Sequence, residues 1–229
     1  MNCAPRFKNC LPSRAPLTEL AVIYEDDTLV VLNKPAGLLS VPGRGEDKQD
    51  CLSSRTLRHY PDALVVHRLD MATSGLLVMA RGAVAQRNLN DAFAARAVHK
   101  RYEAVVDGLV QTTGSEWQLI DLPIFLDWPN RPRRVIDAMH GKPSRTRWQL
   151  LATDHTLGTS RLALEPITGR SHPLRVHLQA IGHPILGDML YAPSRVATQS
   201  DRLLLHACVL EFVHPTSQQK MRFVSPAPF

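Results

Sequence analysis

Apolar residues along this chain fall mostly in short runs and alternations, and few windows carry helical spacing. Val22-Ile23-Tyr24 and Leu29-Val30-Val31-Leu32 predict two strands joined by Glu25-Asp26-Asp27, with Pro35-Ala36-Gly37 ending the second. Leu64-Val65-Val66 predicts a short strand that enters the polar stretch His67–Gly75, and Leu76–Ala80 predicts the strand that leaves it. Alternation from Arg101 to Asp107 sets Tyr102, Ala104 and Val106 on one face. Arg145 to Leu151 alternates likewise, grouping Thr146, Trp148 and Leu150. Asp154 to Thr159 reads as a turn and Arg161 to Pro166 as the returning strand. Leu203–Val213 and Met221–Val224 close the series.

Two segments carry helical periodicity. Residues 83–97 bring Leu89, Ala92, Phe93 and Arg96 together, and His172–Ile181 aligns Leu174, Leu178 and Ile181 with Gly182 as its stop and Ser171 or His172 as its cap. Strands outnumber helices and short turns join them, which predicts an α+β fold built on a mixed, mainly antiparallel sheet. Residues 1–18 hold three prolines and three cations, and read as a flexible basic tail. Residues 19–229 read as a single catalytic domain. Val41–Asp47 reads as a mobile loop, and its Gly-x-Gly lacks the third glycine and the helix of a nucleotide fingerprint.

Composition narrows the class. No window approaches ~18 uninterrupted apolar residues, and the N-terminus lacks the apolar core of a secretion signal, so a cytoplasmic protein without a membrane span is expected. Cys3, Cys10, Cys51 and Cys208 include no Cys-x-x-Cys pair and read as free thiols. The net charge is +6, which fits a polyanionic partner. Its placement says more. From Trp128 to Arg147 stand Arg131, Arg133, Arg134, Lys142, Arg145 and Arg147 against the one acid Asp137, among Pro129, Pro132 and Pro143. A solvated face has that composition too, but rigid, aromatic, cationic loops suit a phosphate backbone. Arg6, Lys8 and Arg14 form a second basic group.

Three stretches could carry chemistry. His67-Arg68-Leu69-Asp70, between two strands, is a loop that can hold an aspartate rigidly, although a plain turn aspartate fits the same pattern. Gly169-Arg170-Ser171-His172 lies between a strand and a helix start, where anions are favoured. Tyr102 belongs to a core face by alternation, yet a tyrosine flanked by Lys100 and Arg101 could also stack on a base. His172 and His177 stand five apart, which does not align them on a helix, so no metal site is expected.

These blocks together resemble the RluA family of RNA pseudouridine synthases. His67-Arg68-Leu69-Asp70 with Thr73-Ser74-Gly75 is similar to the family's central motif, and Asn33-Lys34-Pro35-Ala36-Gly37 to its first. Arg101-Tyr102 resembles the basic-plus-tyrosine motif, and Gly169-Arg170-Ser171-His172 with Leu174-Arg175 the third. All stand in family order, and the resemblance runs from about Val22 onward. Pro173 stands where the family usually has glutamine, so that residue's role does not carry over. The S4-like RNA-binding domain that several relatives carry before the first motif is not expected here.

The resemblance implies the pseudouridine synthase catalytic fold, with a cleft across the sheet, and an isomerisation. The N1–C1′ bond of a uridine breaks, the uracil turns, and C5 bonds to C1′. No atom is lost and no electron is transferred, so no cofactor is implied. Asp70 is the implied catalytic carboxylate, Arg170 its cationic partner, and Tyr102 the ring against the flipped uracil. Leu174 would line the pocket, and Arg68 would fill the space the base left. His67, Arg175, Trp128, Arg131, Arg133 and Arg134 would contact RNA. Asp127-Trp128-Pro129-Asn130-Arg131-Pro132, Gly182–Asp188 and Leu203–Ala207 narrow the resemblance to members acting on 23S ribosomal RNA and the tRNA anticodon stem-loop. No obligatory protein partner and a monomer are implied. A catalytically silent RNA-binding module of the same fold is the alternative.

Overall fold

The computed structural model describes residues 20–112, 114 and 116–229. The expected basic tail, with Cys3, Cys10, Arg6, Lys8 and Arg14, lies outside the described residues. In chain order the elements are β1 (Val22–Glu25), β2 (Leu29–Lys34), α1 (Leu52–Leu57), β3 (Ala63–Val65), β4 (Ser74–Arg81), α2 (Ala83–Ala94), β5 (His99–Asp107), β6 (Gln118–Asp121), β7 (Ile124–Leu126) and β8 (Arg134–Ile136). Then follow β9 (Arg145–Asp154), β10 (Thr159–Pro166), α3 (Pro173–Ala180), α4 (Ser194–Ala197), β11 (Leu205–Val213) and β12 (Lys220–Val224). One sheet runs β1-β2-β4-β11-β5-β10-β9-β6, with β3 added to β4 and β12 to β11, while β7 and β8 form a separate hairpin. β4 and β11 run parallel; the other strand pairs are antiparallel. The fold is α+β, as the pattern predicts.

β11 joins two unlike halves. In the first, β2 and β4 are buried on both faces, which is why they read as unbroken apolar runs. Leu29, Val31, Leu76 and Val78 pack against Ala85 and Leu89 of α2. Val30, Leu32, Leu77 and Met79 pack on the other face against Leu52 and Leu69. In the second half one face is buried, and alternation survives. Ala104, Trp148, Leu162 and Leu164 meet Leu174 and Leu178 of α3. The opposite face carries Arg101, Arg147 and Arg161, with Glu165 bonded to His99 at 2.9 Å. Burial of each large aliphatic contributes roughly 1.5–3 kcal/mol. Tyr102 packs against clusters of both halves and so marks their seam.

Two helix boundaries differ from expectation. α2 ends at Ala94 because Arg96 turns into the left-handed region (φ 59°) and Ala97 N–H closes on Ala92 O at 2.9 Å. Arg96 therefore leaves the helix. α3 begins at Pro173, and of the two candidate caps His172 takes the place, at φ 57° with no capping side-chain bond. Among the described residues no helix is long and apolar enough to cross a membrane.

Candidate active site

The loop between β3 and β4 carries Asp70, and five anchors fix it. His67 Nε2 accepts the Val78 N–H at 3.0 Å while its ring stacks on Phe93 at 4.6 Å. Burial pushes the His67 pKa down to about 3, so the ring stays a neutral acceptor. Ser40 Oγ accepts from Leu69 N–H (3.0 Å) and donates to Leu69 O (2.7 Å). Thr73 N–H donates to Asp70 O at 3.1 Å, and Gly37 N–H to Met71 O at 2.8 Å. Lys34, with no exposed surface, donates through Nζ to Pro35 O (2.9 Å), Leu38 O (2.7 Å) and Met71 O (3.1 Å). Burial lowers its pKa to about 7, and the charge of Asp70 opposes that shift. The Asn33–Gly37 and His67–Gly75 runs are thus hydrogen-bonded to one another.

Behind the loop, Gly75 of β4 pairs with Ala207 of β11. Its φ is +112°, and a Cβ there would lie 2.4 Å from Ala207 O, so only glycine fits. Ser74 Oγ lies 2.8 Å from His206 Nδ1 and accepts from Arg202 Nη2 at 2.5 Å.

The Asp70 carboxylate faces α3. Oδ2 is 3.7 Å from Arg175 Nη1, and Oδ1 is 3.5 Å from His172 Nε2. Arg175 is buried and fixed: Nε and Nη2 donate to Asp188 at 2.8 and 2.6 Å, and its guanidinium lies 4.9 Å over the Tyr191 ring. Asp188 also accepts the N–H groups of Leu190 and Tyr191 at 3.0 and 3.1 Å. The Tyr191 hydroxyl lies 2.7 Å from His172 Nδ1 and accepts the Arg134 N–H at 3.0 Å. Burial lowers the His172 pKa, the Arg175 and Arg134 cations add to that, and Asp70 opposes it.

Two cavities flank Asp70 and share Arg68, Leu69, His172 and Arg175 in their walls. The smaller, about 410 Å³, also contains Tyr102, Leu174 and Pro173. Burial, and then the charge of Asp70, raise the Tyr102 hydroxyl pKa above its ordinary value, so the ring stays a neutral phenol. The larger, about 730 Å³, runs along the Ala36–Gly43 segment to Arg202.

The expected partner of Asp70 needs correction. Arg170 stands at the rim of the smaller cavity and donates to Pro143 O at 3.2 Å; the guanidinium at Asp70 belongs to Arg175. The reason is geometric. Arg170 lies three residues before the helix, on the open loop, whereas Arg175 sits in its first turn, on the face that packs behind Asp70. His67 is likewise a loop anchor, its Nε2 occupied by the Val78 N–H. Arg68 is exposed at the mouth of both cavities. Leu174 is buried and lines the smaller one. Trp128, Arg131 and Arg133 are exposed on the β7–β8 turn, with Arg131 stacked 4.8 Å over Trp128. Pro173 occupies the first helical position, where a missing N–H costs little. His177, His183 and His206 lie in separate hydrogen bonds, to Thr146 and Leu122, to Asp107, and to Ser74 and Ser225. Sequence reasoning passed over Ser40 and Tyr191, and named Lys34, His172 and Asp188 only as members of motif runs, without a role beside Asp70.

A carboxylate held between a fixed guanidinium and an imidazole, in a cavity with room for a nucleotide beside a phenol ring, suits chemistry at a sugar–base bond. Residues 28–180 match the family described as RNA pseudouridylate synthase. Among solved structures, human RNA pseudouridylate synthase domain containing 1 matches with a TM-score of 0.75 and 28% identity, covering 93% of this chain and 85% of that one. Human RNA pseudouridylate synthase domain containing 4 matches with a TM-score of 0.69 and 25% identity, over 91% and 88%. Fold and site together define an RNA pseudouridine synthase, an isomerase.

The dual-specificity RNA pseudouridine synthase RluA of Escherichia coli (strain K12) is 47% identical over 225 residues, 97% of this chain and 99% of that protein. Its counterpart in Vibrio vulnificus (strain CMCP6) is 47% identical over 222 residues, 96% and 87%. The chain belongs to the RluA family of RNA pseudouridine synthases.

Proposed function

We propose that this chain isomerises uridines in 23S ribosomal RNA and in the anticodon stem-loop of tRNA, with Asp70 as the catalytic carboxylate. The observation that carries the reading is the pairing of Asp70 with Arg175 inside the cavity that Tyr102 lines. The target base leaves its stack, at a cost of roughly a few kcal/mol that is least in a loop, and enters beside Tyr102. Arg68, exposed at the mouth, fills the vacated space. Asp70 acts at C1′, C2′ or C6 while the glycosidic bond breaks, and Arg175 supplies the positive charge beside it. The uracil turns, C5 replaces N1 on C1′, the C5 proton leaves to solvent and N1 takes up a proton in its place. Trp128, Arg131, Arg133 and Arg134 on the β7–β8 hairpin hold the RNA strand, a task that needs charge more than sequence. The chain works as a monomer of one catalytic domain, without a cofactor.

Support for two RNA substrates comes from the likeness to relatives named dual-specificity synthases. The test is Asp70→Asn. Tritium release from C5-labelled uridine in RNA is expected to vanish while RNA binding persists. Full release by that variant overturns the assignment.

A further inference from the structure

Arg134 is the starting point. Its Nη1 is buried and has no hydrogen-bond partner. A buried donor without an acceptor costs about 1–3 kcal/mol, and more when charged, so such a group calls for a partner. The backbone of Arg134 is engaged, since its N–H donates to Tyr191 OH, but its side chain is in no ion pair among the described residues.

The surroundings identify that partner. Arg134 opens into a third cavity of about 410 Å³ between the β7–β8 hairpin and the loop before α3. Lys142 and Arg170 line it with Arg134, and no carboxylate does. Among the described residues neither of those two cations is in an ion pair; Arg170 reaches only Pro143 O. Trp128 stands at the edge with 59% of its surface exposed. Three uncompensated cations, one of them with a buried, unmatched donor, fit a compact anion, and an exposed indole beside them fits a base stacked next to it. Both are parts of a nucleotide. The cavity shares Gly169, Arg170 and Ser171 with the one that holds Asp70 and Tyr102, so its occupant lies close along the strand to the residue being modified.

We propose that the cavity between the β7–β8 hairpin and the Gly169–Ser171 loop is a phosphodiester pocket, in which the Arg134 guanidinium grips one phosphate of a nucleotide neighbouring the target uridine. The proposal rests on the isomerase reading for its ligand, but it concerns binding rather than turnover.

The test uses stem-loop RNAs that already contain pseudouridine at the target and carry one neutral methylphosphonate at each nearby phosphate in turn. For the unaltered protein, one such position is expected to weaken binding by about tenfold to a hundredfold, the worth of a charge-assisted hydrogen bond. Arg134→Gln is expected to bind the natural RNA weaker by a similar factor and to ignore the methylphosphonate at that position. Its slope of log affinity against log salt should be shallower by about 0.7–0.9, one phosphate's share. Lys142→Gln, at the rim, should lose less and keep part of the methylphosphonate effect, which guards against a folding defect in Arg134→Gln. Unchanged affinity and slope in Arg134→Gln overturn the pocket. So does competition by inorganic phosphate without any methylphosphonate effect, which marks a small-anion site. If the unaltered protein forms no pseudouridine yet shows the positional effect, the isomerase reading fails and the pocket stands. If it forms pseudouridine without the positional effect, the pocket fails and the isomerase reading stands.

Discussion

Replacing Arg175 and Arg170 in parallel separates the two arginines that the third motif supplies. At 3.7 Å, two unit charges attract by about 4 kcal/mol at an effective dielectric constant of 20. Lysine keeps the charge but moves it away from Asp70, and doubling the separation would halve that figure. Arg175→Lys keeps a cation but cannot make two parallel bonds to Asp188 and still reach Asp70. A loss of about 2 kcal/mol in the chemical step corresponds to roughly 30-fold in rate. Arg170→Lys should change that step by less than about threefold, because Arg170 touches only Pro143 O beside the cleft. The assay is single-turnover tritium release at saturating RNA, with active protein counted by titration against tight-binding RNA. Saturation removes binding defects, and the titration removes unfolded protein. A silent Arg175→Lys beside a crippled Arg170→Lys would refute the reasoning and restore Arg170 as the partner of Asp70.

Other outcomes follow from the same geometry. Lys34→Met leaves the carbonyls of Pro35, Leu38 and Met71 without their shared donor, so a loss of about 2–4 kcal/mol in urea unfolding is expected, with slower turnover from a looser Asp70 loop. His67 and His206 have pKa values lowered by burial to about 3 and about 4, below the roughly 6.5 of an unfolded histidine. The unfolded chain therefore binds more protons in that window, and stability present above pH 6.5 falls on acidification by about 1.4 kcal/mol per pH unit for each ring. Urea midpoints at pH 7 and pH 5 check this; a flat profile would contradict it. Gly75→Ala drives a Cβ into Ala207 O at a positive φ, and should cost about 2–4 kcal/mol, read as a fall in melting temperature.

The architecture was legible wherever a period was long enough to count. Tyr102, Ala104 and Val106 alternate because their strand has one wet face, and Leu29–Leu32 reads as a solid apolar run because its strand has none. Short elements left no such signal. α1 has six residues and is capped by a cysteine thiol, Ser54 N–H to Cys51 Sγ at 3.4 Å, a cap that composition does not announce. β7 and β8 have three residues each, with Pro129 and Pro132 between them. At the site, the motifs named Asp70, Tyr102 and both arginines, but gave Arg170 the place beside Asp70 that Arg175 holds. The difference lies in the helix start, at Pro173 after a left-handed His172, which leaves Arg170 on the loop and sets Arg175 in the first turn. Asp188 and Tyr191 lie beyond the helix, in a segment without periodicity, and nothing local marks them as the support for Arg175.

The position of β11 bears on when this protein can first work. Asp70 leads into β4 and Tyr102 lies on β5, and the strand that lies between β4 and β5 is β11, residues 205–213. A chain emerging from the ribosome has both side chains available after residue 102, yet nothing to set them side by side for another hundred residues. Until β11 inserts, the two halves have their own apolar clusters but no common sheet. The sheet that carries both side chains therefore stays open until residues 205–213 have been made. Closure of the sheet and assembly of the candidate site are one event.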